Sequence, residues 1–407
     1  MISKIHFLVC FLVGLSLSIF LPFQYFSFSI LGFLSGILSG ALFILIVEFI
    51  FRLYYFKKNN KPYEMIPKVP FDRICFEPHP FLPYVLKKNV KNLLTGSVKY
   101  PLNQDKEYKI DKFSTNSMGL CNGPDGTREV AIPKPKDIFR IQCLGASTTQ
   151  YYVNYENKSY SYPLELEKIL KEKCPNKNVE VINSGVPGYT SIEILIQFLL
   201  TVVDTEPDMV ILYHSCNDIM ASLTPNFRSD YSHSRRNLGE TYSKYKTLSK
   251  FPYLPLAFYN HAVFPEMVHS LLHAVCYGTR DISLDFQGEQ TYKRNIEHII
   301  QICMARNIKM VLSTFCRYPY NEIKDDPGFQ KLFQGISREN LIMVELAEKY
   351  SLPLVDSNNL IPREEKYFLD YVHFSPLGME MLAQQISKPI FQYINKTKEF
   401  DTTFVKK

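Results

Sequence analysis

Four short stretches of this chain hold residue types that could act together on an ester. The first is Ile138-Phe139-Arg140-Ile141-Gln142-Cys143-Leu144-Gly145-Ala146-Ser147-Thr148-Thr149. A mostly apolar run of β-favouring residues stops at Gly145, and Ser147 follows with hydroxyl neighbours. A buried strand ending in Gly-x-Ser lifts a hydroxyl to the C-terminal edge of a parallel sheet. Alone, the pattern reads better as a strand-to-loop turn with a helix N-cap serine. The second stretch, Asn183-Ser184-Gly185-Val186-Pro187-Gly188-Tyr189-Thr190, follows a short strand at Val179–Ile182. The third, Tyr213-His214-Ser215-Cys216-Asn217-Asp218, follows a strand at Met209–Leu212, and the fourth is Asp370-Tyr371-Val372-His373-Phe374-Ser375.

Ester cleavage needs a nucleophile, a base, a group that orients the base, and donors for the developing oxyanion. Ser147 is the candidate nucleophile and His373 the candidate base. Asp370 lies close enough before His373 for both to sit on one loop, with the carboxylate holding the imidazole tautomer. As an isolated pair, Asp370 would read as a helix N-cap and His373 as a satisfied surface histidine.

The elements that must position these groups alternate. Helices are expected at Pro163–Lys173, Ser191–Val203, Tyr292–Arg306, Phe329–Tyr350 and Gly378–Asn395. Strands at Ile308–Thr314 and Leu352–Val355 join those already named. This order implies an α/β chain, a three-layer α/β/α sandwich with a central parallel sheet. A long aromatic and Pro-rich interval at 219–290 interrupts it; Phe251 to Phe264 would either cap the site or pack as a surface insertion.

Serine block, glycine block, asparagine block and Asp-x-x-His, in that order, resemble the SGNH hydrolases, also called the GDSL family, over roughly Arg140 to Tyr393. The resemblance implies a flavodoxin-like sheet, the catalytic set Ser147, Asp370 and His373, and no cofactor. It also implies an oxyanion hole made by the Ser147 backbone N–H, Gly188 and the Asn217 side chain, with Gly185 shaping a turn. A loop glycine and an Asx turn are the plainer readings of Gly188 and Asn217. Ala146 departs from the aspartate of the family motif, and Ser215 stands where the third block often has glycine. Thr149 and the Asp-x-x-His spacing set the chain apart from Gly-x-Ser-x-Gly α/β-hydrolases. The implied reaction is hydrolysis of an O-acyl ester, O-acetyl first, on an acylated small molecule, a glycan or a lipid-linked saccharide. An SGNH-type O-acyltransferase and a non-catalytic glycan-binding module are the alternatives.

The first residues differ in kind. Phe7–Phe23 and Phe28–Val47 are apolar and close to the ~20 residues that cross a bilayer as a helix. A transmembrane hairpin is expected over 1–58, making the lipid bilayer a partner, with a signal peptide as the alternative for the first run. Gly32, Gly36 and Gly40 suit close helix packing. Lys4 and the cluster Arg52, Lys57, Lys58 and Lys61 place both ends in the cytoplasm by the positive-inside rule, whereas the resemblance places the domain outside. Residues 59–136 read as a linker and N-terminal extension, in which Pro78–Tyr84 and Asn116–Leu120 resemble the upstream segment of membrane-anchored bacterial SGNH proteins. The main domain is expected at 137–397 and a tail at 398–407.

The net charge of +6 is scattered over 407 residues, which does not imply nucleic acid. Nine cysteines without a Cys-x-x-Cys pair exclude zinc-ribbon and thioredoxin readings and favour free thiols. His269 and His273 share a helical face but lack the glutamate of a zincin helix, so no metal site is expected.

Overall fold

The computed structural model describes residues 75–77, 79–91, 97–98, 108–109, 114–150, 153–155, 158–224, 227–233, 286–319 and 327–404, with 38–40, 42 and 46. The chain divides into two units, Met1–Val69 with Phe251–Gly278, and Pro70–Lys250 with Thr279–Lys407. Of the first unit, only residues 38–40, 42 and 46 are described, and these are helical. The expected membrane hairpin therefore lies almost wholly outside the described residues, as does 234–285 of the interval. Among the described residues, no helix is long and apolar enough to cross a membrane.

The second unit runs through β1 (Phe76–Glu77), β2 (Val85–Leu86), β3 (Ser97–Val98), β4 (Tyr108–Lys109), β5 (Ile138–Gly145), α1 (Ser147–Gln150), β6 (Val153–Tyr155), β7 (Lys158–Tyr160), α2 (Tyr162–Lys173) and β8 (Asn178–Asn183). It continues with α3 (Ser191–Gln197), β9 (Met209–Tyr213), α4 (Asn217–Ser222), α5 (Phe286–Ala305), β10 (Lys309–Ser313), α6 (Pro327–Tyr350), β11 (Leu354–Val355), α7 (Ser357–Leu360) and α8 (Pro376–Phe404). The central sheet has the order β11-β10-β9-β5-β8, and all its pairs are parallel. Small antiparallel sheets, β1-β2 and β3-β4-β6-β7, complete the fold.

Alternation along the strands explains the layers, because successive side chains point to opposite faces. Ile141 and Cys143 of β5, Met209 and Ile211 of β9, and Val311 of β10 pack with Leu166 and Leu170 of α2 and Leu382 and Ile386 of α8. Leu144, Val210, Leu212, Met310 and Leu312 pack on the other face with Ile194 of α3, Ile296 and Ile300 of α5, and Met343 and Leu346 of α6. Both faces are apolar, as a parallel sheet covered on both sides requires. Helix α2 begins at Ser161, whose Oγ accepts the Leu164 N–H at 3.3 Å, and Pro163 follows in its first turn.

Four features depart from the sequence-based expectations. The helix expected over Ser191–Val203 loosens after Gln197 into a π turn, Phe198–Val202, and a 3₁₀ turn, Val203–Thr205. Its end is tied to β5 instead: Arg140 Nη1 donates to the Thr205 carbonyl at 2.5 Å and Gln142 Nε2 to Thr205 Oγ1 at 2.7 Å. Helix α5 starts at Phe286, ahead of the apolar pattern. Gly288 there lies against Ser222 without room for a Cβ, and Glu289 meets Arg338 at 2.6 Å. Helix α8 runs through Pro389 to Phe404, across the expected tail boundary. The N-terminal extension does more than wrap the surface. Leu82 and Leu86 join the cluster of Leu144 and Leu212, and Cys121 bridges Asn183 on the edge strand β8. Every described cysteine is a free thiol.

Arg140 sits in mid-strand with its side chain fully buried. Its Nε donates to Glu180 at 2.7 Å and its Nη1 to the Ala131 carbonyl at 3.1 Å, while its backbone N–H donates to Asp208 at 2.7 Å. Removing one member of such a pair leaves a charge unpaired in the interior. Arg140→Met should therefore lower the unfolding free energy by ~3–5 kcal/mol in denaturant titration of the full chain. A loss below ~1 kcal/mol would make the contact no stronger than a surface ion pair.

Candidate active site

Strand β5 ends at Gly145 and the chain turns at once into α1. The Ala146 carbonyl accepts the N–H groups of Thr149 at 3.1 Å and Gln150 at 2.9 Å. Ala146 thus closes the first turn, and the Ser147 side chain is not used as a cap. Its Oγ lies 3.0 Å from His373 Nε2. On the other side of the ring, His373 Nδ1 lies 2.7 Å from Asp370 Oδ2.

The Asp370–His373 loop follows α7 and precedes α8, and it is held on several sides. Leu369 N–H donates to the His373 carbonyl at 2.8 Å, and Tyr318 N–H, from the loop after β10, donates to the Tyr371 carbonyl at 3.0 Å. Asp370 Oδ1 accepts the N–H groups of Val372 at 2.8 Å and His373 at 2.7 Å. The turn-forming and ring-orienting uses of Asp370 therefore coexist. Burial pushes its carboxyl up, but the His373 ring bond, the His373 charge and the two backbone donors outweigh that and hold it below the ordinary carboxylate value. The His373 and Asp370 side chains keep 20% and 16% of their exposure, so the pair borders a cleft and is not sealed in the core.

The loop after β8 runs along the end of β5. Ser184 N–H donates to the Cys143 carbonyl at 3.0 Å and Val186 N–H to the Gly145 carbonyl at 3.2 Å. Gly185 lies so close that a Cβ there would collide with the Gln150 backbone and the Ala146 carbonyl. Asn183 Nδ2 donates to the Thr149 carbonyl at 2.9 Å, fixing the same turn from behind. Gly188 adopts φ +76°, a region that favours glycine. Asn217, first residue of α4 after β9, donates from Nδ2 to the Tyr189 carbonyl at 2.8 Å. The amide carries a second N–H beside that one. Ser147, Asp370 and His373 are thus in one hydrogen-bonded line, and Asn217 is tied to the loop that carries Gly188. Among the described residues, no cluster of His, Cys, Asp or Glu could hold a metal ion.

A buried polar cluster beneath Asn217 has no counterpart in the sequence reading. Asp218 Oδ1 accepts the hydroxyls of Ser191 at 2.5 Å and Tyr231 at 2.7 Å. Its Oδ2 accepts the Ser191 N–H at 2.8 Å and lies 2.6 Å from His214 Nε2. Ser215 Oγ donates to Glu339 Oε2 at 2.6 Å. Burial, reinforced by the nearby Asp218 charge, pushes the Glu339 carboxyl well above its usual range. Glu339 was discoverable: it interrupts the apolar stripe of α6 between Ile336 and Met343, where a charge needs a buried partner.

No family model and no curated protein sequence matches the chain. Among solved structures it is similar to a GDSL-like lipase from Bacteroides thetaiotaomicron, at 17% identity over 65% of this chain and 93% of that one, TM-score 0.36. A lipase/acylhydrolase from Enterococcus faecalis matches at 17% identity over 62% and 96%, TM-score 0.36. A catalytic mutant of an acetylxylan esterase from Geobacillus stearothermophilus matches at 14% identity over 61% and 91%, TM-score 0.37.

Gly185 is the position where the Ser147 turn tolerates least. Gly185→Ala should lower the unfolding free energy by ~1–3 kcal/mol, since backbone atoms and not a flexible side chain must move. Unchanged stability in thermal or chemical denaturation would mean that the loop relaxes away freely.

Proposed function

We propose that this chain is a serine esterase that cleaves an O-acyl ester through an acyl-serine intermediate. The observation that carries the reading is the line Asp370–His373–Ser147, with spacings of 2.7 and 3.0 Å. In the first half-reaction Ser147 Oγ attacks the acyl carbon while His373 Nε2 takes its proton. Asp370 holds the ring with Nε2 facing the serine and stabilises the imidazolium. The tetrahedral intermediate collapses as His373 returns the proton to the leaving alcohol oxygen. In the second half-reaction water loses a proton to His373, attacks the acyl carbon, and releases the carboxylic acid and free Ser147. The Ser147 and Gly188 backbone N–H groups and the second N–H of Asn217 are the donors for the oxyanion.

The substrate class is an O-acyl, first an O-acetyl, group on a glycan or lipid-linked saccharide, a choice that rests on the order of the four sequence motifs. The apolar runs Phe7–Phe23 and Phe28–Val47 support an anchor that holds the enzyme at a bilayer.

Ser147→Ala and His373→Ala should each abolish hydrolysis of p-nitrophenyl acetate by the detergent-solubilised chain. The double variant should be no worse, because the pair acts as a unit. Asp370→Asn should be severe but less complete. Asn217→Ala should lower kcat by ~100-fold with KM nearly unchanged, because its donor meets the oxygen strongly only as charge develops. Undiminished turnover in Ser147→Ala would sink the reading. A raised KM alone in Asn217→Ala would reassign that residue to substrate positioning.

Removal of residues 1–58 should leave a chain that no longer floats with vesicles in a density gradient. Continued flotation would place the membrane contact elsewhere.

A further inference from the structure

The Val186–Tyr189 turn has a weakness built into it. Tyr189 N–H donates to the Val186 carbonyl at 3.3 Å, Pro187 holds the second position, and Gly188 the third with φ +76°. These are the marks of a type II turn. A type I turn of the same residues differs by a flip of one peptide plane, the one between Pro187 and Gly188. That plane contains the Gly188 N–H, the donor assigned above to the oxyanion. A flip would reverse the direction of that N–H, and glycine offers little steric resistance.

One contact opposes the flip. The Tyr84 hydroxyl donates to the Pro187 carbonyl at 2.6 Å, across a sequence separation of 103 residues. The only cis bond among the described residues is Ile132–Pro133, so the Pro187–Gly188 peptide is trans. In a trans peptide the C=O and N–H point in opposite directions. A donor on the Pro187 oxygen therefore holds the Gly188 N–H pointing the other way and polarises it outward. Tyr84 is itself immobilised. Its carbonyl accepts the Tyr189 hydroxyl at 2.5 Å, its ring lies 4.5 Å from that of Phe76 and 5.6 Å from that of Tyr189, and Leu82 beside it is buried. From the far side, Asn217 holds the next carbonyl but one, that of Tyr189.

We infer that Tyr84, supplied by the N-terminal extension, is a positioning residue of the oxyanion site: its hydroxyl locks the Pro187–Gly188 peptide in the orientation that presents the Gly188 N–H to the reacting oxygen. The inference rests on the esterase reading. It gives the extension a role in turnover beyond linking the sheet domain to what precedes it.

The test compares Tyr84→Phe with Leu82→Ala in the full chain in detergent. The first deletes one hydroxyl and keeps the ring. The second loosens the packing of the same segment without touching the peptide. Tyr84→Phe should lower kcat for p-nitrophenyl acetate, and the rate of Ser147 phosphonylation by a fluorophosphonate, each by about tenfold, the scale of one lost hydrogen bond. KM and melting temperature should stay near those of the parent. Leu82→Ala should lower the melting temperature and leave kcat near the parent value. An unchanged kcat in Tyr84→Phe, a change in KM alone, or an equal fall in kcat for Leu82→Ala would each overturn the inference while leaving the esterase reading intact. A parent chain whose Ser147 neither turns over ester nor reacts with the probe would overturn both.

Discussion

The geometry at the mouth of the sheet depends on one buried carboxylate. Asp218 collects Ser191 from the start of α3, Tyr231 from the interval after α4, and His214 from the end of β9. Asn295 of α5 extends the cluster by donating to Ser191 Oγ at 2.9 Å. Ser191 and Tyr231 are thereby pinned directly, and Asn295 through Ser191, to a side chain adjacent to Asn217. A carboxylate in this setting is stable only while its donors remain in place, since an unpaired charge in the interior is costly. The starts of α3 and α4 are thereby tied to each other through Ser191 and Asp218, next to the Asn217 amide. Proton sharing beneath it is settled by burial: Glu339, pushed toward its neutral form, can sit near Asp218 without a second buried negative charge.

Strand order supplies the other half of the arrangement. Strand β5 has β8 on one side and β9 on the other, so the connections that leave it diverge. A crevice forms at such a reversal, beyond the carboxyl ends of the strands. Ser147 leaves β5 there, Gly188 follows β8 and Asn217 follows β9. The Asp370–His373 loop reaches the same edge from the far side of the sheet, held by the Tyr318–Tyr371 backbone contact.

Much of this was legible in the linear chain, for a definable reason. Runs such as Met209–Tyr213 are apolar at consecutive positions, the mark of a strand covered on both faces, and their ends fall where glycine, asparagine or serine permits a turn. That Ser147, Asp370 and His373 would meet was legible because the serine, glycine, asparagine and Asp-x-x-His blocks stand in one order along the chain. Arg140 was not, because a charge in mid-strand is stable only through Glu180 and the carbonyls of Ala131 and Thr205, most of which the chain brings from remote positions. Tyr84 was missed on the same ground: a tyrosine among prolines carries no mark of the carbonyl that its hydroxyl will find. The early start of α5 had no periodic signal, since Gly288 and Glu289 make their contacts through close approach and charge rather than apolar spacing.

The Ser147–His373 contact spans a separation of 226 residues. The chain emerges from the ribosome in order, so Ser147, Gly188, Asn217 and four of the five central strands exist long before His373 does. Until the Asp370–His373 loop is made, the Ser147 hydroxyl lacks its imidazole partner. On the esterase reading proposed above, reactivity is switched on only when that loop docks, and a polypeptide released before it would be chemically silent. The same separation makes closure of the site a late, entropically expensive contact in refolding, one that the sheet must be in place to reward.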